Sequence, residues 1–213
     1  MKFSFGGANL FGGSTADEAV DLVKYGEELG YETAWFSDNV RDPYAVMSAA
    51  ATTTSKIKLG VGVTDPFKRH PLIAARSIAT VDELCRKRAI LGLGTGAYLE
   101  TLRYYGISEK EWRNTGYARV SEMIKFVRRL FQGQSASGSE FFKTEETRLL
   151  INTPRNIPIY VAGSGPKILE VAGQLADGVI IWAAEPKFLT SFLKYVRNGA
   201  EKAGRSMDSI DVV

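Results

Sequence analysis

Two short glycine-rich segments follow apolar runs and are the first places where this chain could bind a ligand. Gly94-Thr95-Gly96 comes after the apolar residues 89–93, and Gly163-Ser164-Gly165 comes after residues 157–162. Small residues let a ligand approach the main chain, and a helix that starts after the second segment would add unpaired N–H groups that attract an anion. The second segment is therefore either a phosphate site or an ordinary strand-to-helix turn. The first lacks the spacing of a dinucleotide fingerprint, and the sequence has no Walker A motif, which excludes a P-loop nucleotidase.

A third segment, Gly60-Val61-Gly62-Val63-Thr64, reads as the end of a strand that contains glycine. Glycine inside a central strand weakens the strand, and it often marks a bulge or a ligand that approaches the backbone. A flat aromatic ring would need such a gap in order to stack there. The segment is therefore a candidate site for a planar ligand.

Few side chains of this sequence are suited to acid, base or nucleophilic chemistry. Asp38 follows a predicted strand and either binds a ligand or caps a turn. His70 stands between Arg69 and Pro71, where a structural or surface role is favoured over that of a general base. Cys85 is expected to be an inert packing residue near the end of a helix, and a single cysteine forms no internal disulfide. With one histidine and one cysteine in the chain, we predict no metal site.

An alternation of strand-like and helix-like segments must position these residues. Strand patterns cover residues 2–8, 32–37, 56–63, 89–93, 157–162, 178–183 and 209–213. Helix patterns cover residues 15–30, 43–54, 71–86, 117–131, a segment from Pro166, and residues 188–196. A polar, Gly/Ser-rich excursion at about 132–156 interrupts the alternation, and a hairpin between Phe141-Phe142 and Leu149-Leu150-Ile151 is expected in it. We predict one domain over residues 1–213 with this insertion.

Continuously apolar strands that alternate with amphipathic helices predict a parallel α/β sheet covered by helices. An open doubly wound sheet and a (β/α)8 TIM-type barrel both fit. A complete barrel needs about 250 residues, whereas this chain provides six full units and the start of a seventh strand. The sheet is therefore open, the barrel is shortened at its C-terminal end, or the chain is part of a longer protein. In either fold, ligands gather where strands end, which selects Asp38, Thr64, the two glycine-rich turns and Trp182-Ala183.

The composition excludes several classes of protein. The 213 residues are 45% hydrophobic and 24% charged, which is too apolar for a disordered chain. The 27 basic and 24 acidic residues give a net charge of +3 without a dense basic block, so we predict no nucleic-acid partner. The sequence contains neither a signal-peptide pattern nor about eighteen consecutive uncharged apolar residues, so we predict a cytoplasmic protein without a membrane partner.

Six ordered segments resemble the luciferase-like monooxygenase superfamily, and within it the deazaflavin-dependent methylenetetrahydromethanopterin reductase branch. The resemblance spans nearly the whole chain, and the order of the segments makes it more specific than any one of them. The segments are Ala34-Trp35-Phe36-Ser37-Asp38, Arg41-Asp42-Pro43-Tyr44, residues 58–66, Arg69-His70-Pro71, residues 91–96 and residues 161–167.

The resemblance implies a TIM barrel with an insertion after strand four and a coenzyme cleft at the C-terminal face. Family members bind FMN or the deazaflavin coenzyme F420 in that cleft. Asp38 would contact the ring system of the coenzyme, and Thr64 would hydrogen-bond the ring. Gly62 and Val63 would form a bulge behind the ring, often with a non-proline cis peptide.

The glycine-rich turns would hold the rest of the coenzyme. By the same resemblance, Gly94, Thr95 and Gly96 would let its chain pass close to the backbone. Gly163-Ser164-Gly165 would line the path of its side chain or phosphate.

Three departures from the branch pattern affect proton transfer. Relatives commonly have a histidine where this chain has Asn39, and a carboxylate where it has Ala97. The reductases also carry a glutamate in the first strand, where this chain has Gly6 or a neighbour. Hydride transfer between two rings depends mainly on stacking and orientation, so coenzyme binding is compatible with these changes. The sequence assigns no catalytic acid or base, and it leaves the substrate open.

The favoured hypothesis is an oxidoreductase that moves hydride between a reduced deazaflavin, or flavin, and a small or pterin-like substrate. One alternative is a non-catalytic flavin-binding protein or a truncated remnant of an enzyme. Another is an FMN-dependent monooxygenase of the luciferase-like type. A Rossmann-type NAD dehydrogenase is contradicted by the absence of the fingerprint near the first strand. We expect a homodimer or a higher homo-oligomer.

Overall fold

Seven strands form the sheet of this protein. The computed structural model describes residues 3–7, 15–96, 99–151, 156–181 and 185–213, with only the backbone for 99–101. The strands are β1 Ser4–Gly6, β2 Thr33–Phe36, β3 Lys58–Val61, β4 Ala89–Gly94, β5 Ile159–Ala162, β6 Gly178–Ile180 and β7 Asp211–Val212.

All strand pairs are parallel, and the strands lie side by side in chain order from β1 to β7. A doubly wound sheet reverses its strand order partway across the sheet, whereas a (β/α) barrel does not. The order therefore excludes the doubly wound alternative and confirms the barrel prediction. Within the described residues, β1 and β7 each have one neighbouring strand.

Helices follow the strands and cover one face of the sheet. They are α1 Ala16–Glu28, α2 Pro43–Thr53, α3 Pro71–Leu84, α4 Leu99–Tyr104, α5 Glu109–Phe131, α6 Pro166–Leu175 and α7 Pro186–Lys202, with a 3-10 turn at Met207–Ser209 before β7. None of the helices in the described part of the chain is long and apolar enough to cross a bilayer.

The period of two along each strand divides the core into two parts. Alternate residues such as Phe36, Leu59 and Leu91 are fully buried in the large cluster between sheet and helices. The residues between them point to the other face, where Trp35 and Tyr160 form a separate cluster with Ile90. Every strand that leads to the predicted site is therefore fixed from both faces.

Local signals in the sequence define where several helices begin. Thr15 accepts a hydrogen bond from the backbone of Glu18, and the Glu18 side chain accepts one from Thr15, which is a capping box. Asp42 caps α2 through the N–H groups of Tyr44 and Ala45. The loop after β2 therefore runs from the strand end at Phe36 to a capped helix start at Asp42.

Helix α5 begins eight residues before the predicted start at residue 117. Ser108 caps it by accepting a hydrogen bond from the Glu111 N–H, and α4 precedes it although the sequence did not suggest a helix there. The first two turns of α5 carry polar residues and Gly116, so their apolar periodicity is weak. Gly116 packs closely there, because a Cβ at this position would lie 3.1 Å from the Thr95 methyl group.

The predicted hairpin inside the excursion is wrong in its pairing. The antiparallel bridge joins Ala136 and Thr147, whose N–H and C=O groups bond at 2.9 Å in both directions. Phe142 is buried, whereas Leu150 is 93% exposed and pairs with no strand. The apolar residues of the sequence did not show that Phe141-Phe142 and Leu149-Leu150-Ile151 differ in burial. Residues 152–155 of the excursion lie outside the described part.

Candidate functional site

The carboxyl ends of β2 and β3 carry a buried chain of hydrogen bonds. The Thr64 hydroxyl donates to Asp38 Oδ2 at 2.8 Å, and the Tyr44 hydroxyl lies 3.0 Å from Thr64 Oγ1. Because a threonine hydroxyl has one hydrogen, Tyr44 is the donor in the second bond. Thr64 is 0% exposed and lies next to β4 through a parallel bridge to Leu93. The structure thus brings the predicted residues Asp38 and Thr64 into direct contact.

Two basic residues of the loop after β3 bind the loop after β2. The Arg69 guanidinium contacts Asp38 at 3.3 Å and Asp42 at 3.2 Å. The Lys68 ammonium lies 3.2 Å from Asp65, and it donates to the main-chain oxygen of Asp38 at 3.2 Å. These contacts join two loops that are about thirty residues apart in the sequence, and they fix Asp38 through both its side chain and its main chain.

Burial and charge act on the titratable groups of this network. Burial raises the pKa of Tyr44 well above its ordinary value, so the Tyr44 phenol is a proton-bearing donor at neutral pH. Burial lowers the pKa of Arg69, but the attraction of Asp38 outweighs it, and the net direction is upward. Arg69 is therefore a permanent cation and Tyr44 a permanent donor, which makes the network a scaffold for a carboxylate.

The bulge predicted at Gly62 and Val63 is present as a cis peptide bond between these two residues. The strand ends at Val61, two residues before the predicted end, and the Val63 side chain then packs against β4. A Cβ at Gly94 would lie 2.7 Å from Val63 Cγ2, and one at Gly92 would collide with the Val61 carbonyl oxygen. These glycines of β4 therefore leave room for the protein's own bulge.

The gap expected at the glycines of β3 is filled at Gly60. A Cβ there would collide with the Trp35 indole, and one at Gly62 would lie 3.3 Å from the same ring. The flat ring that stacks on Gly60 is thus a side chain of the protein, and the interpretation of Gly60 as a ligand gap is wrong. Trp35 and Tyr160, with ring centroids 5.6 Å apart, form the floor below the strand ends.

The turn after β4 is held by α5. The Trp112 indole N–H donates to the Thr95 main-chain oxygen, and Gly116 packs against the Thr95 side chain. Gly96 has a φ of +81°, a conformation that favours glycine, and a Cβ there would lie 3.2 Å from an Asp65 carboxylate oxygen. Thr95 and Gly96 therefore have structural reasons to be present, and their contact with a coenzyme stays a prediction.

The turn after β5 differs because its last glycine faces open space. A Cβ at Gly163 would collide with Ile168, whereas one at Gly165 would meet nothing within 4 Å. Gly165 precedes the first residue of α6 and makes no side-chain cap. Ser164 and Gly165 are exposed. Pro166 has no N–H, and the backbone N–H groups of Lys167 and Ile168 receive no side-chain cap from Gly165. Uncapped N–H groups at a helix N-terminus are what the phosphate interpretation of this segment requires.

His70 has the structural role that the sequence favoured. Its Nδ1 accepts a hydrogen bond from the Leu72 N–H at 3.1 Å, so it caps α3, and its Nε2 lies 2.9 Å from the Thr144 hydroxyl. Its ring meets the edges of Phe126 and Phe142. Burial lowers the pKa of His70, which keeps the ring neutral, in agreement with an Nδ1 that accepts. The histidine holds the excursion onto α3 rather than acting as a base.

Arg119 of α5 is also partly buried. Arg119 lies over the rings of Phe67 and Phe141, with centroid distances of 4.9 and 4.7 Å, and bonds Glu111 at 2.7 Å. Phe67 belongs to the loop after β3, and Phe141 belongs to the excursion. Arg119 therefore ties the excursion to the loop that carries Lys68 and Arg69.

Several residues of this edge were not assigned a role from the sequence. Tyr44, Lys68 and Arg69 build the Asp38 network, and Trp112 holds the turn after β4. Tyr44 and Arg69 belonged to segments of the resemblance, whereas Lys68 and Trp112 gave no signal. Of the other predicted positions, Trp182, Ala183 and Ala97 lie outside the described residues.

The predicted residues fall on four consecutive strand ends. Adjacent strands are about 4.8 Å apart, so the edge from Asp38 after β2 to Gly165 after β5 spans roughly 15 Å. One end offers a carboxylate acceptor, and the other offers an uncapped helix N-terminus. A ligand that binds Asp38 and the start of α6 at the same time must be elongated, with a hydrogen-bond donor at one end and an anionic group at the other. A ring with a phosphate-bearing side chain, as in FMN or the deazaflavin coenzyme, fits this donor and acceptor set.

This chain is similar to known proteins over most of its length. A family model described as luciferase-like monooxygenase matches residues 2–213. The chain is 36% identical over 194 residues to the 5,10-methylenetetrahydromethanopterin reductase of Archaeoglobus fulgidus, which covers 90% of this chain and 57% of that relative. It is 28% identical over 210 residues to the F420-dependent glucose-6-phosphate dehydrogenase of Amycolatopsis mediterranei, which covers 90% of this chain and 62% of that relative.

A solved structure gives the same result for the fold. The coenzyme F420-dependent tetrahydromethanopterin reductase of Methanopyrus kandleri superposes with a TM-score of 0.87 at 30% identity, covering 99% of this chain and 64% of that chain. The chain thus spans somewhat more than half the length of the relatives that it matches.

Proposed function

The chain belongs to the luciferase-like monooxygenase family, and from this membership we propose that it binds the deazaflavin coenzyme F420 along the ends of β2–β5. The proposed reaction is hydride transfer between the reduced deazaflavin and a small or pterin-like substrate. The observation that carries the proposal is the pairing of an anchored acceptor, Asp38, with an uncapped helix N-terminus at Gly165 on one edge. The relatives named for the deazaflavin support the choice of coenzyme.

Each residue group has a proposed part in binding. Asp38 would hold a donor group of the ring, Val63 and the floor formed by Trp35 would support the ring from below, and the first turn of α6 would hold the phosphate. The bound deazaflavin supplies the hydride chemistry, and the protein orients the ring and the substrate. Thr64 acts in this scheme through Asp38, because its one hydroxyl hydrogen is used in that bond.

The first experiment measures binding of two coenzymes to the purified chain. Coenzyme F420 and FMN are titrated separately while ligand fluorescence and thermal unfolding are followed. A ligand at about 100 times its dissociation constant stabilises the folded state by about 2.7 kcal/mol, which for a chain of this size raises the Tm by roughly 5–11 °C. Stabilisation by coenzyme F420 supports the proposal, and the absence of a shift with this coenzyme contradicts it.

Binding of FMN alone would favour the alternative of an FMN-dependent monooxygenase. Turnover is then tested by mixing the reduced deazaflavin complex with methylenetetrahydromethanopterin and with small carbonyl compounds. Loss of the reduced form with one of them supports hydride transfer. A stable reduced complex with every acceptor would favour the alternative of a non-catalytic binding protein.

The remaining parts of the proposal concern organisation. We propose that residues 1–213 form one domain with an insertion at about 132–156, and that the protein is a cytoplasmic homodimer or higher homo-oligomer acting on small molecules without a nucleic-acid or membrane partner. The modest net charge of +3 supports the absence of a nucleic-acid partner. Light scattering after size exclusion tests the oligomeric state, and a monomer at micromolar concentration would contradict that part.

A further inference from the structure

Arg69 is held in place by the two residues that follow it. Pro71 is the first residue of α3, and His70 caps that helix through Nδ1, so the backbone direction after Arg69 is set by the start of the helix. The Arg69 N–H also bonds the Asp65 main-chain oxygen at 3.2 Å. The side chain therefore leaves a fixed point and extends across the strand ends toward Asp38.

The Arg69 guanidinium has four contacts, which limit its freedom. Its Nε lies 3.4 Å from Asp38 Oδ2, and its Nη2 lies 3.3 Å from Asp38 Oδ1 and 3.2 Å from Asp42. Its carbon lies 4.7 Å from the centroid of the Tyr44 ring. A planar guanidinium can make two parallel bonds to a carboxylate while it stacks on a ring, and an ammonium cannot. The contacts fix the plane of the Asp38 carboxylate.

The hydrogen bonds to Asp38 can be counted against its acceptor positions. A carboxylate has about four in-plane acceptor positions, two on each oxygen. Oδ2 accepts from the Thr64 hydroxyl and from Arg69 Nε, which uses both of its positions. Oδ1 accepts from Arg69 Nη2, so the bonds from the described residues leave one of its positions unused. The Asp38 side chain is 11% exposed, so a small part of its surface stays accessible to a ligand at the strand ends.

We propose that Arg69 is a positioning residue that, together with Thr64, orients Asp38 so that the Oδ1 position not used by the described residues accepts from a ligand N–H or O–H group. The inference rests on the proposed coenzyme site and deepens it: Arg69 sets the direction in which Asp38 accepts the donor that the bound ring presents. The imide-type N–H of a flavin or deazaflavin ring is a donor of that class. Asp38 in this arrangement acts as a hydrogen-bond acceptor for the ligand.

The test is a double-mutant cycle on coenzyme binding. The dissociation constant of coenzyme F420 is measured by fluorescence for the wild type, Arg69→Lys, Asp38→Asn and the double variant. We expect Arg69→Lys to bind about tenfold more weakly, the scale of one hydrogen bond to a charged group. In the Asp38→Asn background the same substitution should have little further effect, because the acceptor that it orients is gone.

A matched control separates positioning from general stability. Arg128 is 18% exposed, as is Arg69, and pairs with Asp177 at 2.8 Å at the opposite ends of the strands. Arg128→Lys should lower the thermal stability without changing the dissociation constant. Equal binding by Arg69→Lys and the wild type, or equal losses in both Asp38 backgrounds, would overturn the inference. If the wild type itself binds no coenzyme F420, the proposed function fails instead.

Discussion

The substitution Gly165→Asp tests whether the start of α6 receives an anion. Gly165 has a φ of −85°, which any residue adopts, and a Cβ there would meet nothing within 4 Å. The aspartate can therefore be placed without strain. It would cap the N–H groups that the helix now leaves uncapped, and it would add a negative charge at the position where the phosphate is proposed to bind. Stability and coenzyme affinity should thus change in opposite directions.

The two magnitudes follow from separate effects. An aspartate cap stabilises a helix more than glycine does, by a few tenths of a kcal/mol. A negative charge at a helix N-terminus adds about 0.3–1 kcal/mol of stability. Together the two effects should raise the Tm by roughly 2–4 °C. A carboxylate about 5 Å from a phosphate charge costs between about 0.8 kcal/mol in water and about 3 kcal/mol near a protein surface. Because the turn is exposed, we expect a loss of about 1–2 kcal/mol, or about 5- to 30-fold in affinity.

The assay is a fluorescence titration with coenzyme F420 at two salt concentrations, combined with thermal unfolding of the free protein. Gly165→Asn is the control, because asparagine caps the helix and carries no charge. Gly165→Asp should bind more weakly than Gly165→Asn at low salt, and the difference should shrink at about 1 M salt, where charges are screened within about 3 Å. Equal affinities of the two variants at low salt would refute the assignment of the anion end.

Three further predictions concern stability. Burial lowers the pKa of His70 below its ordinary value of 6.5, so His70 takes up a proton more readily in the unfolded chain than in the folded one. As the pH falls from 7.5 to 5, the wild type should therefore lose stability relative to His70→Asn. Urea midpoints that change in parallel for the two proteins would contradict this. Burial raises the pKa of Glu27, but hydrogen bonds from three backbone N–H groups outweigh it, and the net direction of the pKa is downward. Glu27→Gln should therefore lower the free energy of unfolding by about 1–2 kcal/mol at pH 7, and by progressively less as the pH falls below 4.5. Urea unfolding at pH 7 and below pH 4.5 measures this difference. Gly199→Ala should lose about 1–3 kcal/mol in chemical denaturation, since its Cβ would collide with the Glu170 main-chain oxygen; an unchanged midpoint would show that α6 and α7 can separate.

The fold was predictable because its signals are local and repeated. Alternating strand and helix patterns, together with residues such as Pro71 and Pro166 at helix starts, located every strand of the sheet and most of the helices. The barrel was separated from the doubly wound sheet only by the order of the strands, which is a long-range property. The start of α5 was missed because Gly116 and polar residues hide the first turns, and the reason for that glycine, contact with Thr95, is visible only in three dimensions.

The site was only partly predictable, because glycine has more than one use. The sequence placed glycines at strand ends correctly, but it could not tell which of them leave room for a ligand. Gly60 makes room for Trp35, Gly94 for Val63 and Gly163 for Ile168, whereas Gly165 is next to open space. The link between Asp38 and its partners was also hidden, since no pattern along the chain joins an aspartate to an arginine thirty-one positions later.

The bonds around Asp38 have a consequence for how the protein reaches its active form. Their partners, Thr64 and Arg69, are separated from it by 26 and 31 positions, so these bonds require the loops after β2 and β3 to lie next to each other. Closing such loops costs chain entropy, and only the complete set of native contacts around Asp38 offsets this cost. The ability to bind the coenzyme ring should therefore appear late in refolding, together with the native tertiary contacts and after the helices have formed.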